Sequence, residues 1–310
     1  MNQRLIVLVL VLAAAASAVA APLGTSARTA IPLNTQQIIS VDYRALKNSE
    51  SGMALKARVL PEALKEFEKA LKGMGIDPDK DVEQLAFVAF RTKDSLASVG
   101  LAQGNFDPKK FTAKMKLKKV KVTKYRLNEL YPSGTGLVLS FLDPTTMLFG
   151  DQAAVQKALD VRDGEAESLS NNHQVTDLMA DVESGAIWSV LDQQGTQNMM
   201  HSALGDAASL GDYEVVKKRL MGSRYSVDFS RGVNFDLDVV TADAMTAATL
   251  TSLMKAGMMY KKSNATAVEK SAMDSMTVDN SASNLQVHFK ADDRKFQSLL
   301  QTDLFASVSR

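Results

Sequence analysis

Three histidines, His173, His201 and His288, are the first place to look for acid–base or metal chemistry in a chain that has no cysteine. None stands four residues from another and no H-E-x-x-H occurs, whereas a zinc site needs several nitrogen, sulfur or oxygen ligands converging on one point. His288 falls between Val287 and Phe289 on the outer phase of an alternating strand, which predicts exposure. His201, beside Met199 and Met200, predicts packing at a core edge. Asp77-Pro78-Asp79-Lys80-Asp81 begins like a calcium loop, but Val82 stands where the sharp turn needs glycine and Val88 where a bidentate Glu would close the shell. It predicts a connector whose aspartates make turn hydrogen bonds. Asp236 and Asp238 share one strand face, as paired acid–base carboxylates would. Val233, Phe235, Leu237 and Val239 alternate with them, however, so the Asp side reads as the solvent side. Phosphate-binding and nucleophile-elbow glycine motifs do not occur, and Ser133-Gly134-Thr135-Gly136 reads as a loop. The sequence thus predicts no cofactor and no metal, and it names no catalytic residue.

The densest charge feature is Lys109–Arg126, with nine basic side chains and, after Phe111 near its start, only Tyr125 interleaved as an aromatic. A stacking surface for nucleic acid is missing. Lysines alternating along a strand blunt a sheet edge, and a solvated or edge face is the first reading. The second is contact with an anionic surface through Lys116, Lys118, Lys119, Lys121 and Lys124. Fifteen methionines are many, and Met199, Met200, Met245 and five more between Met254 and Met276 crowd the second half. They read first as filler of helix cores and second as an adaptable surface for apolar ligands or exposed chains.

The amino terminus bears on location. Arg4 precedes a dozen apolar residues, Leu5–Ala16, and then Ser17-Ala18-Val19-Ala20. A basic start, a short apolar run and an A-x-A site describe a secretory signal peptide, with Ala18 and Ala20 preceding a cut before Ala21. The alternative is a retained membrane anchor. Without Arg4 the chain has 35 basic residues (36 − 1) against 35 acidic ones, so no global charge steers it to nucleic acid. Zero cysteines removes thiol nucleophiles, thiolate metal sites and disulfides. Leader and composition together predict a bacterial periplasmic or secreted protein, with no stable membrane insertion after cleavage.

The elements that must position any site follow from periodicity. Residues 21–34 read as a flexible lead-in. Strands are predicted over 37–43, 82–90, 98–103, 119–127, 136–142 and 146–149, with helices over 61–74, 107–115, 152–161 and 172–180. The second half restates this order: a strand at 187–192, a helical stretch 198–219 broken near Gly211, strands at 224–229 and 233–240, a helix capped by Asp243, then a strand at 285–290 and a helix at 292–300. Ancient duplication and convergence on one βα order both account for it. The expected fold is α+β: two pseudo-repeated lobes, 35–182 and 183–310, each a mainly antiparallel sheet with helices on one face.

Ile39–Asp42, Met74-Gly75-Ile76-Asp77-Pro78-Asp79-Lys80-Asp81-Val82 and Gly104-Asn105-Phe106-Asp107 carry a family likeness. Over residues 35–165 the layout resembles an uncharacterised family of exported proteins of acidobacteria and planctomycetes. Its motifs are structural, so the resemblance implies a fold and an address but no catalytic residue. The expectation is an exported, non-catalytic binding or interaction module whose partner is a protein or cell-envelope component. The alternatives are a hydrolase-like periplasmic enzyme with a non-linear site, and a membrane-tethered sensor domain.

Overall fold

The computed structural model describes residues 22–302 other than 60, 61, 134, 135 and 210–212, and only the backbone of 58, 59, 62–64, 66, 206 and 207. The leader with Ala18, Ala20 and Ala21, the Gly134-Thr135 loop, the helix start at Pro61 and the break at Gly211 lie outside the described residues.

Two strand compositions set the layers. Leu85–Phe90 is apolar without interruption, and such a strand is buried on both faces. Val233–Val240 alternates apolar residues with Asn234, Asp236 and Asp238, and such a strand is covered on one face only. The strands are β1 (Thr35–Asp42), β2 (Val82–Arg91), β3 (Leu96–Gly104), β4 (Thr123–Tyr125), β5 (Asn128–Pro132), β6 (Val138–Asp143) and β7 (Thr146–Gly150) in the first half. The second half has β8 (Ile187–Leu191), β9 (Leu220–Asp228), β10 (Val233–Thr241), β11 (Met276–Ser281) and β12 (Asn284–Ala291). All twelve join one sheet in the order β11-β12-β10-β9-β8-β1-β2-β3-β7-β6-β5-β4.

The α+β class with antiparallel pairing is as expected, and two details differ. The lobes are halves of one continuous sheet, because β1 and β8 pair antiparallel with Ile39 opposite Ser189. That pairing removes what would be an exposed edge on each half. Outward from it the order is β1-β2-β3-β7-β6 on one side and β8-β9-β10-β12-β11 on the other, the same sequence of elements.

The second difference is the placing of helices. The first half is covered on both faces. On the back face, Ile38, Val88, Val99, Leu148 and Trp188 pack with α1 (Thr25–Thr29), α7 (Gln152–Arg162) and α8 (His173–Ala180). On the front face, α2 (Tyr43–Lys47), α3 (Glu50–Val59), α4 (Glu62–Met74), α5 (Pro78–Asp81) and α6 (Pro108–Leu117) surround a core that includes Phe67, Leu85, Phe111 and Phe149. The second half keeps to the front face, with α9 (Gln193–Leu204), α10 (Tyr213–Lys217), α11 (Ala244–Asn264), α12 (Ala267–Asp274) and α13 (Asp293–Leu300). Its back face carries the polar side chains of Arg224, Asp236, Asp238, Gln286 and His288.

The lead-in is not flexible over its described residues. Leu23, Ala27, Ala30 and Ile31 recur at helical spacing and are buried in the back core, and the Leu33 amide donates to the Glu167 carbonyl at 3.1 Å. Among the described residues no helix is long and apolar enough to cross a membrane.

Trp188, the only tryptophan, is fully buried, and its Nε1 has no partner among the described residues. An unpaired buried donor costs about 1–3 kcal/mol, which offsets the extra apolar area of the indole. Trp188→Phe is therefore expected to change stability by less than about 1 kcal/mol, against roughly 3–5 kcal/mol for Trp188→Ala. Urea unfolding followed by circular dichroism checks this; equal losses for the two variants would contradict it.

Candidate functional site

On the front face of the second half, sheet and helices do not close on each other. Tyr225 and Val227 of β9, Phe235 and Leu237 of β10, and Val287 and Phe289 of β12 form the floor of a cavity of about 530 Å³. Its roof is α11, through Met254, Gly257 and Met258, with Met273 of α12 and Met276 at the start of β11. Leu204 of α9, Leu55 of α3, and Phe296 and Leu299 of α13 complete the walls.

Local sequence holds the roof in place. The Asp243 carboxylate caps α11 by accepting from the Thr246 amide at 2.9 Å. A capping box at Thr266 and Glu269 starts α12 after the turn at Ala265. Between the caps, Gly257 sits inside the 21-residue helix α11, is buried and faces the cavity. A glycine in a helix interior costs about 0.5–1 kcal/mol relative to alanine, and at Gly257 backbone alone lines the cavity.

Among the described residues the lining contains two ionisable groups, Tyr225 and Lys261. Burial pushes the Tyr225 phenol up, opposed by its hydrogen bond with Ser189, so it is neutral at physiological pH. Lys261 stands exposed at the rim, where its Nζ donates to the Ala203 carbonyl at 3.2 Å and ties α11 to α9. Such a site can hold an apolar body, and among its described residues no acid is paired with a base.

The wall at α3 is anchored from two sides. Ser51 Oγ donates to Asp293 Oδ1 of α13 at 2.5 Å. Lys56 Nζ lies 2.7 Å from Glu68 Oε1 of α4 and 4.4 Å from the Tyr43 ring centroid, while the Tyr43 hydroxyl donates to Glu68 at 2.5 Å. Lys56 and Glu68 are each only 17% exposed, so this pair works in a poorly solvated setting.

The residues that the sequence singled out lie elsewhere. Lys116 is in the last turn of α6, Lys118 caps its end and donates to the Gly73 carbonyl at 2.7 Å, and Lys119 adopts φ 53°. Lys121 is in the following loop and Lys124 on the edge strand β4; all five lysines are exposed. The strand expected over 119–127 shrinks to Thr123–Tyr125, because left-handed residues Lys119 and Arg126 interrupt extension on either side. The lysines therefore do not form one alternating strip.

Asp77 caps the short helix α5 and pairs with Lys80 at 3.1 Å, a connector as expected. Asp236 lies on the polar back face 2.5 Å from His288 Nδ1, and Asp238 bonds Arg224 and Gln286. His201 is exposed, but its ring centroid lies 6.3 Å from that of the buried Tyr213, at the edge of the core; the buried side of α9 runs through Thr196, Met200 and Leu204. His173 is also exposed. Among the described residues no three His, Asp or Glu side chains are grouped to hold a metal. Met254, Met258, Met273 and Met276 line the cavity, whereas Met200 is core and Met245 and Met259 are exposed.

Neither a protein-family model nor a curated protein matches the chain. Two solved structures, described as "Structure of crystal form I of TP0453" and "Structure of crystal form IV of TP0453", align with 93% of this chain. The alignments cover 98% and 99% of those chains at 9% and 10% identity, with TM-scores of 0.48 and 0.44. A likeness at that level carries no function across.

Proposed function

We propose that this protein is an exported, non-catalytic binding module that carries an apolar ligand between its sheet and helices α11–α13. The observation that supports this reading is the cavity itself: about 530 Å³, walled by aliphatic, aromatic and thioether side chains, with Lys261 at the rim. That volume lies within the roughly 300–1,000 Å³ typical of ligand pockets. Flexible methionine walls suit ligands of variable shape. The leader read in residues 1–20, the absence of cysteine and the likeness to exported proteins support a role in the periplasm or outside the cell, where the ligand is an envelope component.

A neutral fluorescent probe such as N-phenyl-1-naphthylamine is expected to bind and to be displaced by linear alcohols. Each buried methylene contributes about 0.8 kcal/mol. Lengthening the alcohol by two carbons should therefore tighten binding roughly tenfold until the cavity is full. Absence of probe binding, or affinity independent of chain length, would count against the proposal.

A further inference from the structure

A second recess, of about 360 Å³, lies between α12 and α13. It shares Ala272, Phe289 and Leu299 with the apolar cavity, so the two spaces adjoin at those residues. Its lining is also mostly apolar, through Val268, Ala272, Phe289 and Leu299, but it carries two cations. Arg294 and Lys295 of α13 stand on its wall with the Ser271 hydroxyl of α12 opposite. Both cations are exposed, and among the described residues neither side chain forms an ion pair. The adjacent acids are engaged: Asp292 caps α13 by accepting from the Lys295 amide at 2.8 Å, and Asp293 accepts from Ser51. With Lys261 at the rim of the cavity, every charged side chain lining the two spaces among the described residues is positive.

We propose that the ligand is an anionic amphiphile, with its acyl chain in the cavity and its carboxylate or phosphate head at Arg294 and Lys295. This rests on the apolar-ligand reading above and adds the head to it. A purely hydrocarbon ligand would leave Arg294 and Lys295 without a role, and a cationic head in the recess would meet two like charges. Guanidinium matches carboxylate and phosphate oxygens bidentately, with lysine as a point charge beside it. Because the recess is open to water, the head keeps most of its hydration. The long apolar chain, and not the ion pairs, supplies most of the affinity.

The test is binding of dodecanoate, dodecyl phosphate, dodecanol and inorganic phosphate to the full protein, below micelle-forming concentrations and at low salt. The two anionic chains are expected to bind about tenfold more tightly than dodecanol. The double variant Arg294→Gln, Lys295→Gln should abolish that preference while leaving dodecanol binding unchanged. Millimolar inorganic phosphate should not displace any of the chains. If dodecanol binds but the anionic chains bind no better, or their preference survives in the double variant, the head assignment is overturned and the cavity reading stands. Displacement by phosphate alone would also overturn it, in favour of a small-anion site. Failure of dodecanol itself to bind would remove the cavity reading and this one together.

Discussion

Gly257→Leu is expected to make the protein more stable and to weaken ligand binding about a hundredfold. The two effects have one cause. Gly257 is buried in the middle of α11 and lines the cavity, so a side chain placed there fills space that the ligand would use. Leucine recovers most of the roughly 1 kcal/mol of helix propensity that glycine forfeits, and burying the new side chain adds up to about 1.5–3 kcal/mol. Its four carbons exclude three or four methylenes of ligand, each worth about 0.8 kcal/mol, or roughly 3 kcal/mol in all. Gly257→Ala should show the same signs at smaller amplitude. Thermal unfolding and displacement of the neutral probe measure the two quantities on one sample. A variant that loses stability, or that binds dodecanol as the wild type does, would show that Gly257 does not border a ligand space.

Gly257 is also the clearest case of a signal the sequence carried without its meaning. The layers were readable: Leu85–Phe90 announces a strand covered twice, Val233–Val240 a strand covered once, and Asp243 and Asp107 cap helices where the sequence put them. Those features are local, and each is set by neighbours a few residues away. Other segments were not readable. Helix Glu50–Val59 opens on Ser51-Gly52 with little apolar periodicity, and strand Met276–Ser281 ends in polar turn residues at the edge of the sheet. Both are held by tertiary partners, α13 for the helix and β12 for the strand, and these override weak local preference. The Lys-Val alternation over 119–122 imitates a strand that left-handed Lys119 then forbids. The cavity lies furthest from the sequence, because a void belongs to three layers at once. A methionine count fits filler and ligand wall equally well; only the joining of α11, α12 and the floor of β9, β10 and β12 tells Met258 from Met200.

Glu68→Ala is expected to destabilise the protein by about 3 kcal/mol and to loosen the cavity wall formed by α3. Removing one member of a poorly solvated ion pair leaves its partner uncompensated, which typically costs 3–5 kcal/mol. The lower end applies, since Lys56 keeps the Tyr43 ring at 4.4 Å and the Asp79 carboxylate at 3.9 Å. The pair also sets an acid response. Burial works to raise the Glu68 carboxyl, but the hydrogen bonds from Lys56 and Tyr43 and the charges of Lys56 and Lys72 hold it below its ordinary value of 4.5. The unfolded chain therefore takes up this proton at higher pH than the folded one does. The stabilisation is complete above 4.5 and is lost as the pH falls through the folded value. Glu68→Gln keeps the shape of the side chain and removes the titration, so its stability should fall less steeply than that of the wild type over the acid range. The Tyr43 phenol, pushed up by burial and then by the Glu68 carboxylate, stays protonated throughout and remains the donor. Because α3 brings Leu55 to the cavity and Ser51 to Asp293, a weakened lock should also weaken dodecanol binding severalfold at neutral pH. An unchanged acid slope in Glu68→Gln would show that the ion pair contributes nothing to folding. Unchanged binding in Glu68→Ala would show that α3 holds its place through Asp293 alone.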